Sequence, residues 1–137
     1  MSERINIKKL EPKAYEAMFG LEKYLSTSKL SKTILELIKI RASQINGCAY
    51  CIDIHTKDAI KYGENPRRIF AVSAWWESPL FDEKEQIVLK MTEEVTLVAD
   101  KGLTTKTYTL AKTIFDDNEF EQIILQITII NTRKRIE

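Results

Sequence analysis

Apolar residues recur along most of this chain at intervals of three and four, with charged residues filling the positions between them. That period marks helices with one buried stripe. Turn and cap residues divide the pattern into segments. Pro12 suits the first turn of a helix that reaches about Leu25. Ser31 is placed to cap a second helix, in which Ile34, Ile38, Ala42 and Ile45 share a face. Asn46-Gly47 interrupts, and a third helix runs on to Gly63. Asn65-Pro66 reads as the cap and first residue of a fourth, ending at Ser78-Pro79. Asp82 and Glu85 form a capping-box pair ahead of a fifth, with Ile87, Met91, Val95 and Val98 on one side and Gly102 as its end. Thr104 or Thr105 opens a sixth. Asn118 with Glu121 opens a seventh, whose "IILQITII" is apolar nearly all round.

That last run is also β-branched, so a strand over residues 123–130 competes with the helix. A lone strand would find no partner, whereas a helix apolar on most sides is one buried in a core or a subunit interface. The expectation is therefore an all-α chain, a single domain over 1–137 built as a bundle of six to seven helices. A length of 137 residues is enough to bury a real core. No repeat, low-complexity run or linker divides it.

Composition narrows the function. Hydrophobic residues make up 44% and charged residues 30%, with a formal net charge of +1, so no strong field draws nucleic acid or an anionic membrane. The basic "TRKRIE" reads as a solvated helix end favoured by the helix dipole. No apolar run approaches the ~18 residues a membrane span needs. The opening "MSERINIKKLEPK" is charged and lacks the apolar region of a signal peptide. The expected location is cytoplasmic, where thiols stay reduced and a pair of cysteines points to catalysis, redox exchange or metal binding rather than a structural disulfide.

Both cysteines, Cys48 and Cys51, and the only histidine, His55, lie within "GCAYCIDIH", residues 47–55. With about 100° per residue, His55 falls about 20° from Cys48 around a helix, and Cys51 about 60° from it. Ile52, Ala59 and Tyr62 share that arc, and Lys57 and Lys61 lie opposite. Cysteines three apart can meet across a turn, and Cys51 and His55, four apart, are also neighbours. Cys48 sits at the helix start, where unpaired N–H groups favour a thiolate, while His55 can accept the proton of Cys51. Several readings compete. The thiols could be inert core residues. Structural zinc wants four ligands, and after Cys48, Cys51 and His55 the chain has no further cysteine or histidine. Haem attachment needs histidine directly after the second cysteine, where Ile52 stands. A redox dithiol on an all-α scaffold fits the residue set without further ligands.

The stretch "ELIKIRASQINGCAYCIDIHTKDAIKYGE", residues 36–64, resembles the carboxymuconolactone decarboxylase family in its alkyl hydroperoxidase D-like (AhpD-like) branch. That branch's pattern is Glu, eleven residues, CxxC, three residues, His, which Glu36, Cys48, Cys51 and His55 match. "RINIKKLEPKAYEAMFGLEKYL" and "AVSAWWESPLFDEKEQIVLKMTEEVT" also resemble family segments, so the likeness covers about residues 4–131. It implies an all-α, AhpD-like fold assembled as a homotrimer or homohexamer. It also implies a thiol peroxidase that reduces a hydroperoxide and is reset by a dithiol reductant protein, with no cofactor or metal beyond its own Cys48–Cys51 pair. Carboxymuconolactone decarboxylase activity is not expected, because the family's decarboxylase branch generally lacks CxxC. Carried over, Cys51 is the peroxidatic thiol, Cys48 the resolving thiol, His55 the proton acceptor and Glu36 the supporting carboxylate. The dipole argument favours Cys48 as the more acidic thiol, and the Cys51–His55 spacing favours Cys51. Periodicity alone puts Glu36 on the solvent side of its helix, paired with Lys39; only the resemblance brings it to the site. Two departures stand out. Tyr50 precedes the second cysteine where some family members have histidine, which keeps open a second role as a thiol–disulfide carrier with little peroxidase activity. "INTRKRIE" places Arg133 and Lys134 where relatives often have Trp and Asn.

Overall fold

The computed structural model describes residues 4–136. Among them are eight α-helices and one 3-10 segment: α1 Ile7–Leu10, α2 Pro12–Ser26, α3 Lys32–Ile45, α4 Ala49–Lys61, α5 Pro66–Ala71, the 3-10 segment Val72–Glu77, α6 Glu83–Thr96, α7 Thr105–Ile114 and α8 Asp117–Ile136. The all-α expectation holds, and residues 123–130 are helical. The count exceeds six to seven because the short α1 precedes Pro12, capped by the Asn6 side chain, and because the fourth helix breaks in two.

Caps account for most of the boundaries. Ser31 accepts a hydrogen bond from the Ile34 N–H, Asn65 from Arg67, and Thr104 from Thr107. Asp82 and Glu85 make the reciprocal capping box. Three boundaries differ from the sequence reading. The stretch from Pro66 kinks at Ala74 (φ −134°, ψ 37°). The kink turns Trp75 inward, where its Nε1 donates to Glu93 at 2.7 Å, and leaves Trp76 exposed. α6 stops at Thr96, so Val98 lies outside it and faces solvent; Gly102, at φ 66°, serves the turn into α7. α8 is capped by Asp116 and Glu119, whose side chains exchange hydrogen bonds with each other's N–H, not by Asn118 and Glu121.

α3 is the central element. It packs against α4, α6 and α8, and most extensively against α4. Ile34 and Ile38 enter a core shared with Val88 and Met91 of α6 and Ile123 and Ile127 of α8. Leu37 and Ile40, on its other side, enter a second core with Ala59, Ile69, Val72, Trp75 and Leu89. A helix clamped between two cores has no solvent face along its middle, so Glu36 is buried despite its periodicity. Burying a Leu or Ile side chain contributes about 1.5–3 kcal/mol, and this double clamp fixes α3 as the platform against which α4 is held.

Candidate functional site

The chain between α3 and α4 is shaped by a glycine. Gly47 adopts φ 62° directly after α3, with the Gly47 N–H bonded to Gln44 O and the Cys48 N–H to Ser43 O. This paired pattern closes a helix C-terminus and calls for a residue without Cβ strain. Asn46, beside it, donates to Asn131 of α8 at 2.8 Å, and Asn131 in turn donates to Thr96 Oγ1 of α6 at 3.0 Å. The turn that delivers the first cysteine is therefore tied to three helices.

Cys48 is the N-cap of α4, and its sulfur accepts a hydrogen bond from the Cys51 N–H at 3.2 Å. The two cysteines are joined as a disulfide across one turn, with Cα atoms 5.2 Å apart. Both are buried, as are Ala59 and His55 on the same face; Asp53, Lys57 and Lys61 are exposed, as their helical phase requires. Tyr50 points outward and is 66% exposed. In this disulfide form neither sulfur is a free thiolate ligand.

His55 and Glu36 meet where α4 crosses α3. His55 is 7% and Glu36 5% exposed, and His55 Nδ1 lies 3.9 Å from Glu36 Oε2. That is too long for a hydrogen bond, and both atoms are buried without a hydrogen-bond partner. The other oxygen of Glu36 accepts from Lys39 Nζ at 3.1 Å. Burial raises the Glu36 carboxyl above its ordinary value against the opposing pull of Lys39. Burial, then the positive charges of Lys39 and Arg133, lowers His55 to about 4, with Asp58 acting the other way. At neutral pH the ring is uncharged and keeps a free lone pair, so it can take a proton.

A cleft of about 260 Å³ opens onto this pair, lined also by Lys32, Asp58, Tyr62 and Arg133. Arg133 reaches it from the basic tail of α8, where it is bonded to Glu22 of α2 at 3.1 Å, so this part of "TRKR" turns inward rather than into solvent. Neither cysteine lines the cleft. A larger cleft of about 490 Å³ lies between α6 and α7, away from all four candidate residues. The structure thus brings Glu36 and His55 together where α3 meets α4, and sets the Cys48–Cys51 disulfide at the start of α4, one turn before His55. It adds Asp58, which the sequence pattern does not single out, and Arg133, which stands out in the sequence only as a departure from relatives. For Asp58 the available signal is its position one turn beyond His55; for Arg133 it is the departure from the family pattern, which does not reveal the contact with Glu22 across 111 residues.

This arrangement, a CxxC at a helix start with a histidine one turn on and a carboxylate from the preceding helix, defines a class. The model of the carboxymuconolactone decarboxylase family matches residues 12–94, and the chain belongs to that family. Over 136 residues it is 38% identical to the uncharacterized protein YdfG of Bacillus subtilis (strain 168), covering 99% of this chain and 92% of that one. The uncharacterized protein YnjA of Escherichia coli (strain K12) is 29% identical over 66 residues, 48% of this chain and 36% of that one. Among solved structures, a protein of unknown function from Agrobacterium tumefaciens that carries a provisional antioxidant-defence (AhpD) name superimposes with a TM-score of 0.93 at 38% identity, covering 98% of this chain and 92% of that one. An uncharacterized peroxidase-related protein from Silicibacter sp. TM1040 shares the fold, with a TM-score of 0.78 at 21% identity over 96% of this chain and 67% of that one.

Proposed function

We propose that this protein is a CxxC-dependent thiol peroxidase that reduces hydroperoxides. In the reduced form His55 takes the proton of Cys51, and the thiolate attacks the distal peroxide oxygen. The O–O bond breaks, Cys51 becomes a sulfenic acid, and the departing alkoxide takes up the proton held by His55. Cys48 then condenses with the sulfenic acid, expelling water and leaving the disulfide, which an external dithiol protein reduces. Burial makes the imidazolium a poor resting state, which favours prompt return of the proton. Glu36 supports His55 through a bridging water or a small closure of the 3.9 Å gap. The observation that carries this reading is the Cys48–Cys51 disulfide set one turn before a buried, uncharged His55.

The test is hydroperoxide consumption with a dithiol donor. Cys51→Ser is expected to abolish it. Cys48→Ser is expected to retain a single turnover and to accumulate sulfenic acid. Full multiple turnover by Cys51→Ser rejects the assignment. Exposed Tyr50, between the cysteines, favours a second reading in which the disulfide exchanges with a partner protein. A mixed disulfide trapped with a single-cysteine variant, in a protein without peroxide turnover, selects it. We also infer a cytoplasmic homo-oligomer, a trimer or hexamer. Exposed Phe70 and Trp76 support a subunit interface, and light scattering on the eluting protein tests it.

A further inference from the structure

Glu36 Oε2 and His55 Nδ1 face each other across 3.9 Å, both buried and both without a hydrogen-bond partner. Buried polar atoms are rarely left so, and two of them aimed at one point call for something between them. Asp58 completes the surround. It sits one turn beyond His55 on α4, half-buried, and one donor atom from each of the three residues lies within 4.8 Å of the others. We propose that Glu36, His55 and Asp58 form a binding site for a divalent cation of the zinc type, between α3 and α4.

The donor set fits that class. One imidazole nitrogen with two carboxylate oxygens suits Zn²⁺, Co²⁺ or Mn²⁺; Mg²⁺ and Ca²⁺ prefer oxygen alone. A histidine and an acidic residue three apart on one helix, met by a carboxylate from its neighbour, is how helical bundles build metal sites. Zinc-bound donors lie about 2.0–2.2 Å from the ion and hence roughly 3.3–3.5 Å from one another. The Glu36–His55 pair therefore needs to close by only a few tenths of an ångström. Asp58, nearer the surface, closes the rest by a side-chain rotation. The fourth position opens into the cleft, where water can fill it. Lys39 occupies only the far oxygen of Glu36 and leaves Oε2 to the ion. Lys39 and Arg133 also offset part of the carboxylate charge, so the affinity is moderate. The ion would engage the atoms that a proton relay uses, so a loaded site and a working relay exclude each other. No thiol takes part, which separates this site from the Cys48, Cys51 and His55 set that the sequence invites.

The experiment uses the full-length protein in its disulfide form, with no peroxide present, so that neither thiol can bind metal and the outcome is independent of the peroxidase reading. Zn²⁺ alone is titrated calorimetrically, and the ring resonance of the single histidine is followed by NMR. One equivalent per chain is expected, with the His55 resonance shifted at saturation. At least a tenfold loss of affinity is expected in Asp58→Asn and in Glu36→Gln, both checked for helicity. Asp58→Asn changes a half-buried residue and keeps the fold measurable if Glu36→Gln does not. Absence of zinc binding, as expected if a water bridges the pair instead, overturns the proposal. So does binding that leaves His55 unshifted or survives Asp58→Asn.

Discussion

Acidification should charge His55 far later than it charges an ordinary histidine, and the chain's single histidine makes this measurable without assignment. The ordinary value is 6.5, and burial, reinforced by Lys39 and Arg133 and opposed by Asp58, brings it to about 4. The folded state thus holds a neutral ring through a range in which the unfolded chain takes up a proton. Stability from this residue is complete above about 6.5, falls as the pH drops, and is lost below about 4. The displacement corresponds to about 3 kcal/mol, of which about 2 are gone by pH 5. Glu36 works in the opposite sense. Its raised value lets the folded state take up a proton before the unfolded chain does, so acidification returns stability through that group. A denaturation curve reports the sum of the two, so the direct assay is NMR of the His55 ring protons in oxidised, chelator-treated protein. The expected midpoint is about 4, with the neutral-ring shift still present at pH 5.5. A midpoint at or above about 6 would refute the reasoning, since burial and the two cations would then not dominate the ring's surroundings.

Gly47→Ala should destabilise the protein by about 1–2 kcal/mol, the cost of a side chain in the left-handed region. A Cβ there meets nothing within 4 Å, so the loss reports backbone conformation alone and is read by chemical denaturation. Because the same turn delivers Cys48, the variant should also alter the rate at which the disulfide reforms after reduction. Glu93→Ala should cost about 2–3 kcal/mol, because it strands Trp75 Nε1 and the Nε and Nη2 of Arg41, all of which now face Glu93 Oε1, while Arg41 Nη1 keeps Gln44. Glu93→Gln keeps an acceptor oxygen and should cost less than half as much; equal losses would mean that charge, rather than an acceptor for these donors, is what Glu93 supplies.

Cap chemistry shows where the sequence was legible. Asp82 with Glu85 is legible because the acceptor and its reciprocal partner stand three apart, just ahead of an apolar stripe. The same spacing occurs twice before α8, as Asp116 with Glu119 and as Asn118 with Glu121, and spacing alone does not choose. The flanking residues do. Phe115 precedes Asp116 and Phe120 lies four residues after it, and both are buried in one core. That is the hydrophobic staple that fixes a helix entry. Both phenylalanines are present in the sequence, but the pair carries weight only once both are buried in the same core.

Glu36 is the converse case. One-sided periodicity assigns it to solvent, because Ile34, Ile38 and Ile45 define only one buried face. "ILELIKI" also holds Leu35, Leu37 and Ile40, which leaves α3 no wide polar face to expose, and a helix with that pattern is buried all round. A carboxylate in such a helix needs a partner, and here Lys39 holds one oxygen while burial raises the proton affinity of the group. The chemistry of the residues that carry the thiols could be read from spacing alone, since Cys48 to Cys51 and Cys51 to His55 are each about one helix turn. What spacing does not contain is the crossing of α3 over α4. It depends on two separate cores gripping α3, and it turns a cysteine pair with a nearby histidine into a buried site with a carboxylate facing the ring.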